Sequence, residues 1–161
     1  MSGMPFTTCL WFDTEAEEAA NFYAGIFKDS TIGRVHRYNE AGPGTPGSVM
    51  LVDFELNGQK FSALNGGPQF KFNEAISIVV PCADQAEVDY YWSSLIDGGG
   101  RESVCGWLTD KYGLCWQIVP SVFFDMVAGS DQAKAARVMQ AMMGMAKFDI
   151  AALERAYAGE A

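Results

Sequence analysis

Residues Cys105–Pro120, CGWLTDKYGLCWQIVP, decide the fold. Trp107–Thr109 is a short run of strand-forming residues and Leu114–Val119 a longer one, with turn chemistry in Asp110-Lys111-Tyr112-Gly113 between them. Pro120, which has no N–H for a central ladder, closes the segment. The two-residue alternation of Leu114–Val119 sends Cys115, Gln117 and Val119 to one face and Leu114, Trp116 and Ile118 to the other. Working outward, Arg101–Val104 reads as another short strand, and Gly98-Gly99-Gly100 ends a helix. That helix shows its apolar stripe at Val88, Tyr91, Trp92, Leu95 and Ile96, and begins at Asp84 with Glu87 three residues on, a capping-box spacing. Ala75–Val80 (AISIVV) before it is a strand. The order over residues 73–120 is β-α-β-β-β.

The same order precedes it over residues 5–66. Pro5–Phe12 reads as a strand, with Thr7, Cys9 and Trp11 opposite Leu10 and Phe12. Asp13-Thr14 offers N-cap chemistry to a helix carrying Ala16, Ala19, Ala20, Tyr23, Ile26 and Phe27 at helical spacing. Thr31–Tyr38 is a second strand, Ala41–Gly47 a loop, and Val49–Leu56 a third strand with Met50, Val52, Phe54 and Leu56 on one face. Asn57-Gly58 is a strong hairpin signal, and Gln59–Asn65 returns as the fourth strand. Internal duplication is the main result. It predicts an α+β chain, one domain over residues 1–161, in which tandem βαβββ modules form a curved mixed or antiparallel sheet. Residues 121–161 are read as a helical extension, with helices over Val122–Ala128, Asp131–Met143 and Asp149–Tyr157. Its expected buried positions are Ala133, Ala136, Val138, Met139 and Met142. The methionines Met139, Met142, Met143 and Met145 suit either a binding surface or packing in a core or dimer contact.

Composition narrows the function. The chain has 161 residues, 49% hydrophobic and 19% charged, which is globular rather than disordered. Eleven basic against twenty acidic residues give a net charge of −9, which disfavours nucleic acid or an anionic membrane as partner and permits a neutral or cationic ligand. A single histidine, His36, argues against a multi-histidine metal site. The four cysteines form no C-x-x-C pair and read as free thiols. No targeting segment or membrane span is read, and a cytoplasmic location is expected.

The stretches LWFDTEAEEAANFY, NGQKFSALNGGP, CADQAEVDYYW and CGWLTDKYGLCWQIVP resemble the PhnB-like branch of the vicinal oxygen chelate superfamily. That superfamily includes glyoxalase I, extradiol dioxygenases and the fosfomycin- and bleomycin-resistance proteins. The branch is often labelled 3-demethylubiquinone-9 3-methyltransferase. The resemblance implies a glyoxalase-like fold, a cleft for a small molecule and a homodimer. In metal-using relatives each half supplies two ligands, one from its first strand and one from its last. Carried over, those positions hold Thr7 (Thr8 after a one-residue slip), Ser62, Ala75 and Gln117. This set predicts no metal of the usual kind. No cofactor is expected either. S-adenosylmethionine needs a glycine-rich loop between a strand and a helix, whereas Gly98–Gly100 follows a helix and Gly42-Pro43-Gly44 precedes none.

The expected cleft is lined by Trp11, Asn65, Ser77 and Gln117, with Cys9 and Cys115 in its wall. Each residue has a plainer reading. Trp11 and Trp107 suit core packing, Asn65 suits the start of the Gly66-Gly67 turn, and Gln117 suits a structural hydrogen bond. Cys9 and Cys115 suit small buried side chains rather than nucleophiles. His36 is either a general base or a structural edge-strand residue. Asp110 is either catalytic or the support of its turn. Two functions stay open: an enzyme on a small metabolite, or a ligand-sequestering protein without chemistry.

Overall fold

Alternating apolar and polar side chains build the first of two units, Met1–Phe72. In the computed structural model, which describes residues 6–160, this unit comprises β1 (Thr8–Phe12), α1 (Ala16–Ile26), β2 (Ser30–Arg37), β3 (Val49–Leu56) and β4 (Gln59–Asn65). Pro5 of the expected first strand lies outside the described residues. The strand order is β1-β4-β3-β2, with β1 parallel to β4 and the other pairs antiparallel. One face is apolar: Leu10, Phe12, Val52, Phe54, Leu56, Phe61 and Ala63 are buried with Ala16, Ala19, Ala20, Tyr23 and Ile26 of α1. The small alanines let the helix approach closely. Tyr23 stacks on Phe54, and Phe54 on Phe61, with centroids 6.3 and 5.3 Å apart. Asn57 and Gly58 both take positive φ, as the tight hairpin between β3 and β4 requires.

The start of α1 differs from expectation. Neither Asp13 nor Thr14 caps it. Glu15 holds the N-cap position without a side-chain cap bond, and the Ala16 N–H donates to Asn65 Oδ1 at 2.8 Å. A side chain at the end of β4 thus does what a local cap does elsewhere. Asn65 Nδ2 donates to the Val49 carbonyl, tying β3 to the same point.

The second unit, Asn73–Ala161, repeats the plan: β5 (Ile78–Cys82), α2 (Gln85–Ile96), β6 (Arg101–Glu102), β7 (Trp107–Thr109) and β8 (Cys115–Pro120). Its order, β5-β8-β7-β6, with β5 parallel to β8, matches the first unit strand for strand. The strands pair as two four-stranded mixed sheets, one per unit, and so carry the expected tandem βαβββ plan. Asp84 caps α2 by accepting from the Glu87 N–H, and Glu87 accepts from the Ala83 N–H. β5 begins three residues later than expected. Asn73 Oδ1 accepts from the Ala75 N–H in a turn, and Ile76 is 62% exposed instead of packing beneath a helix. On β8, Trp116 and Ile118 are buried together with Val88, Trp92 and Leu95 of α2. Asp110 is 3% exposed and organises the turn before β8: Oδ1 accepts from the Tyr112 and Leu114 N–H groups, and Oδ2 from Trp116 Nε1.

Three helices follow Pro120: α3 (Ser121–Ala128), α4 (Gln132–Met143), capped by Asp131, and α5 (Ile150–Ala158), capped by Asp149. The buried row of α4 is Ala135, Val138 and Met142, whereas Ala133, Ala136 and Met139 are exposed. The helix is turned from the expected phase because its inner face meets α3 and α5 rather than a sheet. The tail is seated by Phe148, which is buried and packs on Phe123 at 5.0 Å. It lies against Gly106, where a Cβ would come 2.3 Å from the Phe148 ring. The Gln85 side chain bonds the Phe148 carbonyl and the Ile150 N–H, and the Cys105 and Gly106 N–H groups donate to Met145 and Ala146 carbonyls. Among the described residues no helix is long and apolar enough to cross a membrane.

Candidate functional site

The face of the first sheet opposite α1 carries the polar chemistry of its unit. Pairing places residues in rows across the strands. One row is Cys9, Ser62 and Asp53; another is Trp11, Leu64, Leu51 and His36; a third holds Lys60, Glu55 and Thr31. Directly paired residues share a face. Thus Asp53 lies on the side opposite buried Val52 and Phe54.

The presence of His36 on this side depends on a bulge. The β2–β3 register passes from Ile32↔Phe54 to Val35↔Val52, leaving Gly33 and Arg34 opposite Asp53 alone. A regular ladder would place His36 across from Met50, on the helix side. The extra residue reverses the phase, so Val35 turns toward α1 and His36 toward Asp53. A Cβ on Gly33 would sit 3.0 Å from the Asp53 carbonyl oxygen, so glycine suits the close approach. His36 Nε2 lies 3.2 Å from Asp53 Oδ2, with the two side chains 33% and 47% exposed. In the tautomer with Nε2 donating, Nδ1 is left as an acceptor.

Beside this pair is a cavity of about 350 Å³, with Thr7, Thr31, Gly33, Asp53, Glu55 and Lys60 among its lining residues. Among the described residues Glu55 and Lys60 form no ion pair within 4 Å, and Ser62, only 8% exposed, has no hydrogen-bond partner for its hydroxyl. The oxygen keeps some solvent access, since no fully buried side-chain N or O atom lacks a partner.

The six expected lining residues fall in both units. In the first, Cys9 is exposed on the face just described. Trp11 shares that face, but its Nε1 donates to the Gly67 carbonyl and its ring packs edge-on against Phe70. Asn65 has both ends of its amide engaged in structure, while also lining a groove of about 600 Å³ with Asp13, Glu17 and Tyr38. In the second unit Gln117 Nε2 donates to Ser77 Oγ at 2.8 Å, which brings two expected residues together. Cys115 is buried, with its sulfur 3.7 Å from Thr109 Oγ1. Burial, followed by the Glu87 and Asp84 carboxylates, pushes the Cys82 thiol up to about 12.

Sequence reasoning missed Asp53, Glu55, Lys60 and Thr31. The alternation of β3 already sent Leu51, Asp53 and Glu55 away from the core. It gave no sign that His36 would meet Asp53, because only Gly33 within β2 hinted at a bulge.

The superfamily's metal does not fit the positions implied for it. Thr7 and Ser62 offer neutral hydroxyls, Ala75 offers no side-chain donor, and Gln117, whose Nε2 donates to Ser77, offers one neutral amide oxygen, a weak set for a transition metal. Among the described residues there is no group of three or more His, Cys, Asp or Glu that could hold a metal ion. S-adenosylmethionine fits no better: of the three strand-to-helix links among the described residues, Phe12 to Ala16 and Cys82 to Gln85 contain no glycine, and Pro120 runs directly into Ser121.

Comparison with known proteins accords with this architecture. Residues 4–119 match the family model described as 3-demethylubiquinone-9 3-methyltransferase. The PhnB protein of Bacillus cereus is 36% identical, with 73% of this chain and all of that one aligned at a TM-score of 0.66. Protein PA1353 of Pseudomonas aeruginosa is 16% identical over 73% and 98% of the two chains, at 0.60. The fosfomycin resistance protein FosX of Mesorhizobium loti is 13% identical over 80% and 100%, at 0.56. The last two show the fold alone. No curated protein matches the chain. The family match ends before α3, so the helical tail lies outside it.

Proposed function

Because the chain belongs to the 3-demethylubiquinone-9 3-methyltransferase family, the PhnB-like branch of the vicinal oxygen chelate superfamily, we propose that it binds a small organic molecule on the open face of its first sheet, without the superfamily's metal. The observation that carries this reading is the cavity beside Asp53, where side chains with unused hydrogen-bonding capacity converge. The second unit, taken by itself, is proposed to offer a separate ligand contact at the Ser77–Gln117 pair.

Binding without covalent chemistry is favoured by the placement of the reactive groups. Cys9 and His36 lie on β1 and β2, the opposite edges of the sheet. Three strand spacings of about 4.8 Å separate them by roughly 14 Å, too far for a nucleophile and its base. One observation favours an enzyme instead: His36 held by Asp53 has the geometry of an oriented base.

A thermal-shift screen of small neutral and charged compounds tests the proposal, with hits mapped by amide NMR shifts. Shifts at Thr31, Asp53, Glu55 and Lys60 are expected. Hits that leave these amides unmoved would overturn the location. Stoichiometric zinc, nickel or iron in protein purified without added metal, lost in Gln117→Ala, would overturn the metal-free reading.

A further inference from the structure

We propose that the ligand class of this face is an organic cation, a protonated amine received by Asp53 and Ser62; this rests on the binding reading above. The charges facing the cavity are few. Glu55 and Lys60 are directly paired across β3 and β4, so their opposite charges offset each other locally. Arg34, in the bulge, makes no ion pair with Asp53, and Arg37 donates to the Gly47 carbonyl. That leaves Asp53, whose one polar side-chain partner among the described residues is His36 through Oδ2, with Oδ1 unpartnered among them.

The second observation is Ser62. It is more than nine-tenths buried, is directly paired with Asp53 on the same face, and its hydroxyl has no partner among the described residues while retaining solvent access. Its oxygen is therefore open to a ligand donor in place of water. Asp53 Oδ1 and Ser62 Oγ are both acceptors. One ammonium carries three donors, enough to serve both and keep one for water or Glu55. A bare divalent ion would need several more oxygen ligands than the described residues place here. Asp53 lines the cavity of about 350 Å³, Ser62 sits next to Asp53 in the sheet rather than in that lining, and the volume leaves room for an organic body beyond the ammonium.

The test uses three probes of one shape: benzylamine, benzyl alcohol and benzoate, titrated into the ¹⁵N-labelled full chain at about pH 8, above the titration range of an ordinary imidazole. Benzylamine is expected to move the Asp53, Glu55 and Ser62 amides and to bind roughly tenfold or more tighter than the alcohol, with benzoate weakest. Asp53→Asn should reduce the amine to the level of the alcohol. Lys60→Met removes a repelling cation and should strengthen the amine several-fold, a gain that a damaged fold would not produce. Equal binding of amine and alcohol at these amides, or no gain in Lys60→Met, would overturn the cation assignment while leaving the site standing. Failure of all three probes to move this face would overturn the assignment together with the binding reading beneath it.

Discussion

Replacing Asp110 by alanine should be among the costliest single changes in the second unit. The side chain is 3% exposed and accepts from three donors, the Tyr112 and Leu114 N–H groups and Trp116 Nε1, at 2.9, 3.0 and 2.9 Å. The Leu114 and Trp116 bonds are buried, so water cannot replace the carboxylate there. A stranded buried donor costs about 1–3 kcal/mol. The three share one acceptor group and do not add independently, so the expected loss is about 3–5 kcal/mol. Asp110→Asn keeps one oxygen but sets an NH₂ group against the Trp116 N–H, or the reverse, and should lose about 2–3 kcal/mol. Urea unfolding followed by circular dichroism reads this directly. At a slope of about 2 kcal/mol/M the alanine midpoint falls by about 1.5–2.5 M. A midpoint within about 0.3 M of the wild type, at unchanged slope, would refute the structural role. If Asp110→Asn also unfolds like wild type but loses ligand binding, the residue belongs to chemistry instead.

Asn65→Ala removes the acceptor for the Ala16 N–H and the tie to the Val49 carbonyl, and should cost about 1–2 kcal/mol in the same unfolding assay. Cys82 should resist thiol reagents in the native protein at pH 8 while exposed Cys9 reacts, as counted by mass spectrometry. Because folding raises the Cys82 pKa from 9.0 to about 12, the native state holds the proton longer. Its contribution to stability is complete below about pH 9 and is lost as pH rises toward 12, so wild type should be more alkali-sensitive than Cys82→Ala. A second copy of this chain is the expected partner for exposed Phe124, Met139 and Met143, and light scattering returning the 17.5 kDa monomer mass would end that expectation.

The duplicated order was legible because each strand advertises its own phase. Leu10 and Phe12, Val52 and Phe54, and Trp116 and Ile118 all turn to the buried side as two-residue alternation requires. Asp84, Asp131 and Asp149 cap their helices as local chemistry demands. Failures came where a distant partner overrode local signals. Asp13-Thr14 looked like a cap, but the acceptor came from Asn65, 49 residues from Ala16. Ile76 continued the apolar period of β5, yet a turn at Asn73 held it outside the strand. His36 stands in sequence between Arg34 and Arg37, while its partner is set by one unpaired residue upstream. A bulge leaves almost no trace in composition, and the site turns on it.

The position of Gly106 bears on how far the chain can be shortened. The family match stops at Val119, so a boundary drawn there would look natural. It would remove the Phe148 ring that lies against Gly106. It would also strand the Cys105 and Gly106 amides and release the Gln85 side chain from both its backbone partners in the tail. The shortened protein would keep all eight strands but for Pro120 at the end of β8, and still present a newly wetted apolar scar on the last sheet. For this chain the evolutionary edge of the family falls inside the folding unit, whose contacts run on at least as far as Phe148 and Ile150.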